Sequence, residues 1–303
     1  MSELTFDGSV VIVTGAGHGV GRAHALEFAR RGAKVVVNDL GGNTDGTGGS
    51  QGAAADVVEE IKAAGGEAVA NFQSVATPEG GESITQTALD AFGRVDVVVS
   101  NAGILRDRTF AKLSVADLDA VLDVHLRGSF FVCGPAFRWM KENGGGGRIV
   151  ITSSASGLFG NFGQSNYAAA KLGAVGLMRV MALEGARNGI NVNAIAPMAN
   201  TRLTGAGEPE ADDDVKSPAR VTPLVVALAH PSCEISGETF LAGYGIFSRV
   251  WVALGPGWAP GDEVVSAEDI AEHWDAIRDA SSSVEVANAM ATTDWLQERL
   301  AAQ

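Results

Sequence analysis

A short β-branched run, Val10 to Val13, leads directly into Thr14-Gly-Ala-Gly-His-Gly-Val-Gly21. An amphipathic helix pattern follows through Arg31 and stops at Gly32, and Lys34 to Asp39 reads as a second buried strand. Strand, glycine turn, helix, strand is the unit on which α/β folds hold nucleotides. The spacing Gly-x-Gly-x-x-Gly does not fit, because its third glycine would fall on Val20. Gly15, Gly19 and Gly21 fit Gly-x-x-x-Gly-x-Gly instead. No lysine-serine or lysine-threonine ends the turn, which argues against a nucleoside triphosphatase. A backbone without Cβ atoms lets a pyrophosphate approach the N-terminus of the following helix. The alternative for these glycines is a tight turn with no ligand.

Asp39 closes the second strand. A carboxylate there accepts hydrogen bonds from the ribose hydroxyls of NAD and repels the extra phosphate of NADP. No lysine or arginine adjoins it, and His18 is the one phosphate partner available in the turn. NAD is therefore the expected cofactor, although a turn aspartate is usually just solvated. Residues 40–52 read as a polar surface loop. A helix (53–64), a strand (67–71) and a helix (79–92) come next, and Ser74 and Val75 after that strand join the candidate cofactor contacts. Another strand, from Arg94, runs into Ser100-Asn-Ala-Gly103. A capping-box start at Ser114 opens one long helix to about Lys141, carrying His125. After a strand at 148–152 and a glycine-rich loop comes the helix of Tyr167, then a strand from Gly189 to Pro197. Val221 to Ala229 is a helix, Thr239 to Leu241 an edge strand, and residues 266–278 and 284–300 are helices.

Alternation without a break in composition predicts an α/β fold: one doubly wound, Rossmann-like parallel sheet over residues 1–245, with a helical extension (246–303) packed on the same domain. Gly15 to Gly21, Asp39, Asn101, Ser154 and Pro197 each follow a different predicted strand, at the sheet edge where such folds bind ligands. On that edge Tyr167 and Lys171 stand one helical turn apart, and Ser154 ends a strand. A lone Tyr-x-x-x-Lys is usually a helix surface; here its company matters. A tyrosine of pKa near 10 needs about three units of help to act as a base near neutrality, roughly 4 kcal/mol. An ammonium about 4 Å away supplies roughly that at an effective dielectric of about 20. Proton exchange with an alcohol is the chemistry this constellation suits.

The chain has 303 residues and a formal charge of −14, which disfavours nucleic acid as a partner. Cys133 and Cys233 imply neither a disulfide framework nor a metal site. The opening residues lack the pattern of a signal peptide, no apolar run approaches a membrane span, and the closing Ala-Ala-Gln is not a peroxisomal address. A cytoplasmic protein with a small-molecule substrate is the expectation. The stripe Ala170, Gly173, Ala174 and Leu177 suggests a subunit interface, and acidic Glu208, Glu210, Asp212, Asp213 and Asp214 suggest a flap.

Taken together, the glycine pattern, Asn101-Ala-Gly103, Ser154, Tyr167 and Lys171 resemble the short-chain dehydrogenase/reductase family over about the first 245 residues. Asn38 to Gly42, Asn101 to Arg108, His125 to Phe130, Ser153 to Gly157 and Gly160 to Gly163 resemble, more narrowly, the dehydrogenase portion of peroxisomal multifunctional enzymes of β-oxidation. The resemblance implies NAD-dependent oxidation of a (3R)-3-hydroxyacyl-CoA to the 3-ketoacyl-CoA. It implies Tyr167 as general base, Lys171 lowering the tyrosine pKa and holding the nicotinamide ribose, and Ser154 orienting the substrate oxygen. It further implies Asn101 bracing the central strand, cofactor contacts that include Ala102, Gly103, Val20 and Pro197, and a homodimer or homotetramer. His125 stands where the family usually has asparagine, so either a modified proton relay or a packed helix residue is expected. Pro197 is followed by Met198 rather than glycine, and Arg202 replaces a threonine. Arg106, Arg108 and Lys112 are the candidates for an anionic CoA. A hydroxysteroid or other secondary-alcohol dehydrogenase and a non-catalytic nucleotide sensor are the rival readings; sensors of this kind typically lose the tyrosine or the lysine.

Overall fold

In the computed structural model, residues 3–205, 214–261 and 263–301 are described. Of the acidic flap, Glu208, Glu210, Asp212 and Asp213 lie outside them. The chain divides into two compact units, Met1–Arg249 and Val250–Gln303.

The first unit is built on a sheet ordered β3-β2-β1-β4-β5-β6-β7-β8. Strands β1 (Val10–Thr14), β2 (Lys34–Asn38), β3 (Glu67–Asn71), β4 (Val97–Ser100), β5 (Gly147–Thr152), β6 (Ile190–Met198) and β7 (Thr239–Gly243) pair in parallel. Side chains alternate across a strand, so one run feeds two cores. Val11, Val13, Val35, Val37, Val97, Val99 and Val150 join one core. Val10, Ile12, Val36, Val98, Ile149 and Ile151 join the other. Both faces are thus covered by helices, which is why these strands read as continuous apolar runs. The order reverses at β1, whose neighbours are β2 and β4. The crevice above the C-terminal ends of β1 and β4 is the switch point where such sheets take ligands.

Helices α1 (Gly19–Arg30), α2 (Gly52–Ala63) and α3 (Pro78–Phe92) match the sequence expectation to within a residue or two. The long helix does not. It is α4 (Val115–Leu122), then a π-helical turn over Asp123–Arg127, then α5 (Gly128–Asn143). A π turn leaves no mark in apolar periodicity, and it often marks a functional position. Ser154 caps a short helix, α6 (Ala155–Phe159), where a loop was expected. Tyr167 lies on α7 (Ser165–Gly185), and α8 spans Thr222–Ala229. Strand β7 is not an edge: β8 (Ile246–Val250) hydrogen-bonds beside it after a two-residue turn, Tyr244-Gly245, with both φ positive at 54° and 78°.

The stripe assigned to an interface is internal. Ala170 and Ala174 are buried in the chain's own cores, and Gly173 lies against Leu126. The exposed large apolar residues of α7 are Leu172, Val180 and Leu183.

The second unit is not wholly helical. Strands β9 (Ala253–Leu254) and β10 (Val284–Glu285) pair antiparallel. The expected helix at 266–278 is two pieces, α9 (Ala267–Glu272) and α10 (Trp274–Ile277), and the last helix, α11, begins only at Ala289. Trp258 stacks on His273 at 3.9 Å between ring centroids.

Candidate active site

A cleft of about 700 Å³ opens at the switch point. Gly15, His18, Gly19, Val20, Gly21, Asp39, Ser74, Val75, Asn101, Ala102, Gly103, His125, Ser154, Tyr167, Lys171 and Pro197 all line it. The candidate catalytic and cofactor-binding residues are therefore brought to one place.

The glycine turn is a cradle that side chains would fill. A Cβ on Gly21 would overlap the Gly15 carbonyl oxygen, and one on Gly15 would sit 2.7 Å from Ala102 Cα. Gly19 has φ +55°, which an L side chain resists. Gly19, Val20 and Gly21 in the first turn of α1 line the cleft, which places a helix dipole end suited to an anion there. Gly17, which the spacing argument passed over, donates its N–H to Asp39 Oδ2 at 2.8 Å, and a Cβ there would collide with that carboxylate. Asp39 Oδ1 accepts from Gly41 N–H at 2.6 Å. The carboxylate is fixed by both loops and still has acceptor capacity for a diol. These residues fit the adenosine diphosphate half of a dinucleotide.

Asn101 ties the strand ends together. Its Nδ2 donates to the Thr14 carbonyl at 3.0 Å, and its backbone N–H donates to Thr14 Oγ1 at the same distance. Thr152 Oγ1 donates to Asn101 Oδ1 at 3.4 Å. The bracing role expected of Asn101 thus has a geometry: it joins β1, β4 and β5 at the floor of the cleft.

Ser154 and Tyr167 both line the cleft, close enough for the serine hydroxyl to favour the ionised phenol, and Ser154 Oγ accepts from Ser156 N–H at 3.1 Å. Lys171 is buried, with Nζ 5.6 Å from the Tyr167 ring centroid and donating to the Thr152 carbonyl at 2.6 Å. The electrostatics differ from the sequence expectation. Burial pushes the Tyr167 phenol above its ordinary range, the Ser154 hydroxyl opposes this, and the Asp107 carboxylate adds to it. Burial also brings Lys171 down to about 7. At 5.6 Å a full ammonium would be worth about 3 kcal/mol at an effective dielectric of about 20. Burial weakens that help by disfavouring the charged amine, so in the open cleft desolvation dominates at the phenol. The pair reads as a neutral phenol beside an amine poised to exchange a proton.

His125 sits in the π turn, fully buried, its ring edge-on to Tyr167 at 5.0 Å between centroids and 89°. Nε2 lies 2.7 Å from the Ile104 carbonyl oxygen and 3.0 Å from the Ile104 N–H. One nitrogen cannot serve both, and the shorter contact assigns the proton to Nε2. Nδ1 is then a bare lone pair, buried without a partner among the described residues. Burial, then the Lys171 charge, hold the imidazole well below its usual range, so it is neutral.

The sequence reading passed over a polar group beside Tyr167. Gln164, Asn161, Ser156 and Asp107 line the cleft and hydrogen-bond to one another across 57 residues of sequence. Of the CoA candidates, Arg106 lines the cleft, where its Nε donates to the Asp45 carbonyl, whereas Arg108 and Lys112 do not line it. Arg202 lines it as well.

Comparison with known proteins agrees with this geometry. The family model described as short chain dehydrogenase matches residues 9–211. The chain is 50% identical over 284 residues to peroxisomal multifunctional enzyme type 2 of Mus musculus, covering 93% of this chain and 38% of that protein. It therefore spans well under half the length of that relative. It is 38% identical over 288 residues to the hydroxyacyl-CoA dehydrogenase ChsB1 of Mycobacterium tuberculosis, covering 86% of this chain and 88% of that one. Among solved structures, full-length peroxisomal multifunctional enzyme type 2 from Drosophila melanogaster superposes with a TM-score of 0.82 at 38% identity, over 98% of this chain and 50% of that one. Sheet order, glycine cradle, serine–tyrosine–lysine cleft and these likenesses lead to one assignment: the chain belongs to the short-chain dehydrogenase family, whose fold implies a nicotinamide cofactor.

Proposed function

We propose that the chain oxidises a (3R)-3-hydroxyacyl-CoA to the 3-ketoacyl-CoA with NAD. The observation that carries this is Ser154 beside Tyr167, with Lys171 one turn along, in the same cleft as the glycine cradle and Asp39. The name of the mycobacterial relative supplies the substrate class.

In this reading Ser154 and Tyr167 hold the substrate hydroxyl. Tyr167 takes the hydroxyl proton; a nicotinamide cofactor, which the glycine cradle, Asp39 and Lys171 would hold, would supply the hydride acceptor for the carbinol carbon. Lys171, largely deprotonated above its pKa of about 7, relieves Tyr167 of its proton. His125 Nδ1 is an acceptor in the proton path leading from Lys171, which makes the relay a modified one. Oxidation then accelerates as pH rises through the Lys171 titration, because the base form is the active one. Asp39 selects NAD over NADP by accepting the ribose hydroxyls and repelling a 2′-phosphate. The exposed Leu172, Val180 and Leu183 on α7 are proposed to lie between copies in a homodimer or homotetramer. Among the described residues no helix is long and apolar enough to cross a membrane; a cytoplasmic location belongs to the same reading.

A panel of NAD with (3R)- and (3S)-hydroxyacyl-CoAs, hydroxysteroids and simple secondary alcohols tests the assignment by absorbance of the reduced cofactor. Turnover of the (3R)-thioesters supports it. Turnover of free steroids without thioesters would replace it with the hydroxysteroid reading, and tight NAD binding with no turnover would favour a sensor.

A further inference from the structure

The polar group beside Tyr167 has no work to do on a simple alcohol. Gln164 is nine-tenths buried and precedes Tyr167 by three residues. Its Oε1 accepts from Ser156 Oγ at 2.7 Å and from Asn161 Nδ2 at 2.9 Å. Two donors fill the oxygen's lone pairs, which fixes the orientation of the amide. Its Nε2 donates one N–H to Asp107 Oδ2 at 2.8 Å. An amide nitrogen carries a second N–H, and among the described residues no acceptor meets it. Gln164, Ser156, Asn161 and Asp107 all line the cleft, and Ser156 is joined by its backbone N–H to Ser154 Oγ. The Asp107 carboxylate opposes ionisation of Tyr167. Its benefit therefore lies elsewhere, in holding the amide.

We propose that the second N–H of Gln164 is a subsite for the thioester carbonyl oxygen of the substrate, with Asp107 as the positioning residue; this rests on the hydroxyacyl thioester reading above. In a 3-hydroxyacyl thioester the carbonyl carbon is two bonds from the carbinol carbon. With the hydroxyl held on Ser154 and Tyr167, that oxygen is the acceptor nearest to the reacting centre. A steroid or simple secondary alcohol has no acceptor there and leaves a buried donor unpaired. Sites built to hydrogen-bond a substrate group discriminate strongly against analogues that lack it.

The test compares kcat/KM on a (3R)-hydroxyacyl-CoA with kcat/KM on the matched thioether, in which a methylene replaces the carbonyl. Gln164→Leu is expected to lower the thioester value by about tenfold or more while changing the thioether value by less than about threefold. Turnover of the thioether also reports a folded enzyme. Asp107→Ala should erode the thioester preference in the same way, and Asp107→Asn, which keeps a carbonyl acceptor, should restore it. Equal losses on both substrates would overturn the subsite and leave Gln164 a support for the start of α7. A wild-type enzyme indifferent to the carbonyl would overturn it too, as would an Asp107→Ala variant with full preference. A wild type that turns over steroid alcohols and no hydroxyacyl compound at all overturns the hydroxyacyl reading itself, and is read without any variant.

Discussion

Replacing Lys171 by methionine is expected to leave the protein inactive and more stable. An ordinary lysine titrates near 10.5, whereas burial brings this one to about 7. Between those values the unfolded chain holds a proton that the folded chain has lost. Stability therefore rises with pH across that window, and below pH 7 the full penalty applies. Integrating the two titrations gives a cost of about 4 kcal/mol at pH 7 and about 2 kcal/mol at pH 9. Methionine removes the cost and also the hydrogen bond to the Thr152 carbonyl, worth about 1 kcal/mol. Lys171→Met should thus exceed wild type by about 3 kcal/mol at pH 7, with the gap narrowing by about 2 kcal/mol at pH 9. In a domain of this size that is a rise in Tm of several degrees. Urea unfolding of both proteins at pH 7, 8 and 9 measures it, and other titrating groups cancel in the difference. A variant less stable than wild type at pH 7, or a gap that does not change with pH, would refute the reasoning that Lys171 is a strained, desolvated amine.

His24 makes the opposite end of the pH scale informative. It is fully buried against Thr222 and brought down to about 3, so the unfolded state binds more protons between about pH 3 and 6.5, and stability falls as pH drops through that window. About 2 kcal/mol should be lost from this residue between pH 7 and 5, seen as a smaller acid sensitivity in His24→Gln. Gly21→Ala forces a methyl onto the Gly15 carbonyl and should cost about 1–3 kcal/mol and weaken cofactor binding, read by Tm and by titration with NAD. Asp39→Ala should lower affinity for NAD and narrow its lead over NADP; an unchanged ratio would remove the carboxylate from cofactor selection. His125→Leu should slow oxidation and alter the pH profile, while His125→Asn, which also offers an acceptor, should recover most of the rate.

Strands and glycines carried the fold into the sequence legibly, because an apolar run such as Val10 to Val13 buried on both faces has few other readings. The glycine turn, Asp39, Asn101, Ser154 and Pro197 were legible for the same reason: each follows a strand end, and a doubly wound sheet gathers strand ends at one edge, while Tyr167 and Lys171 were legible from their one-turn spacing. Three things were hidden. The π turn around His125 changes hydrogen-bond register without changing which residues are apolar. The apolar stripe of α7 could not be divided between core and surface until α4 and the π turn were placed against it. The Gln164–Asp107 contact joins segments that only the fold brings together. The pKa values were the hardest part: spacing placed an amine near a phenol, but burial, which spacing does not report, decides which of them is charged.

Initial rates of NAD reduction by wild type and Tyr167→Phe, on one (3R)-hydroxyacyl-CoA at pH 8, address the proton-transfer claim most directly. The phenylalanine variant should bind NAD with unchanged affinity and lose at least about a hundredfold in kcat, the usual scale of a general base. A variant that retains wild-type kcat would mean that the phenol does not take the substrate proton.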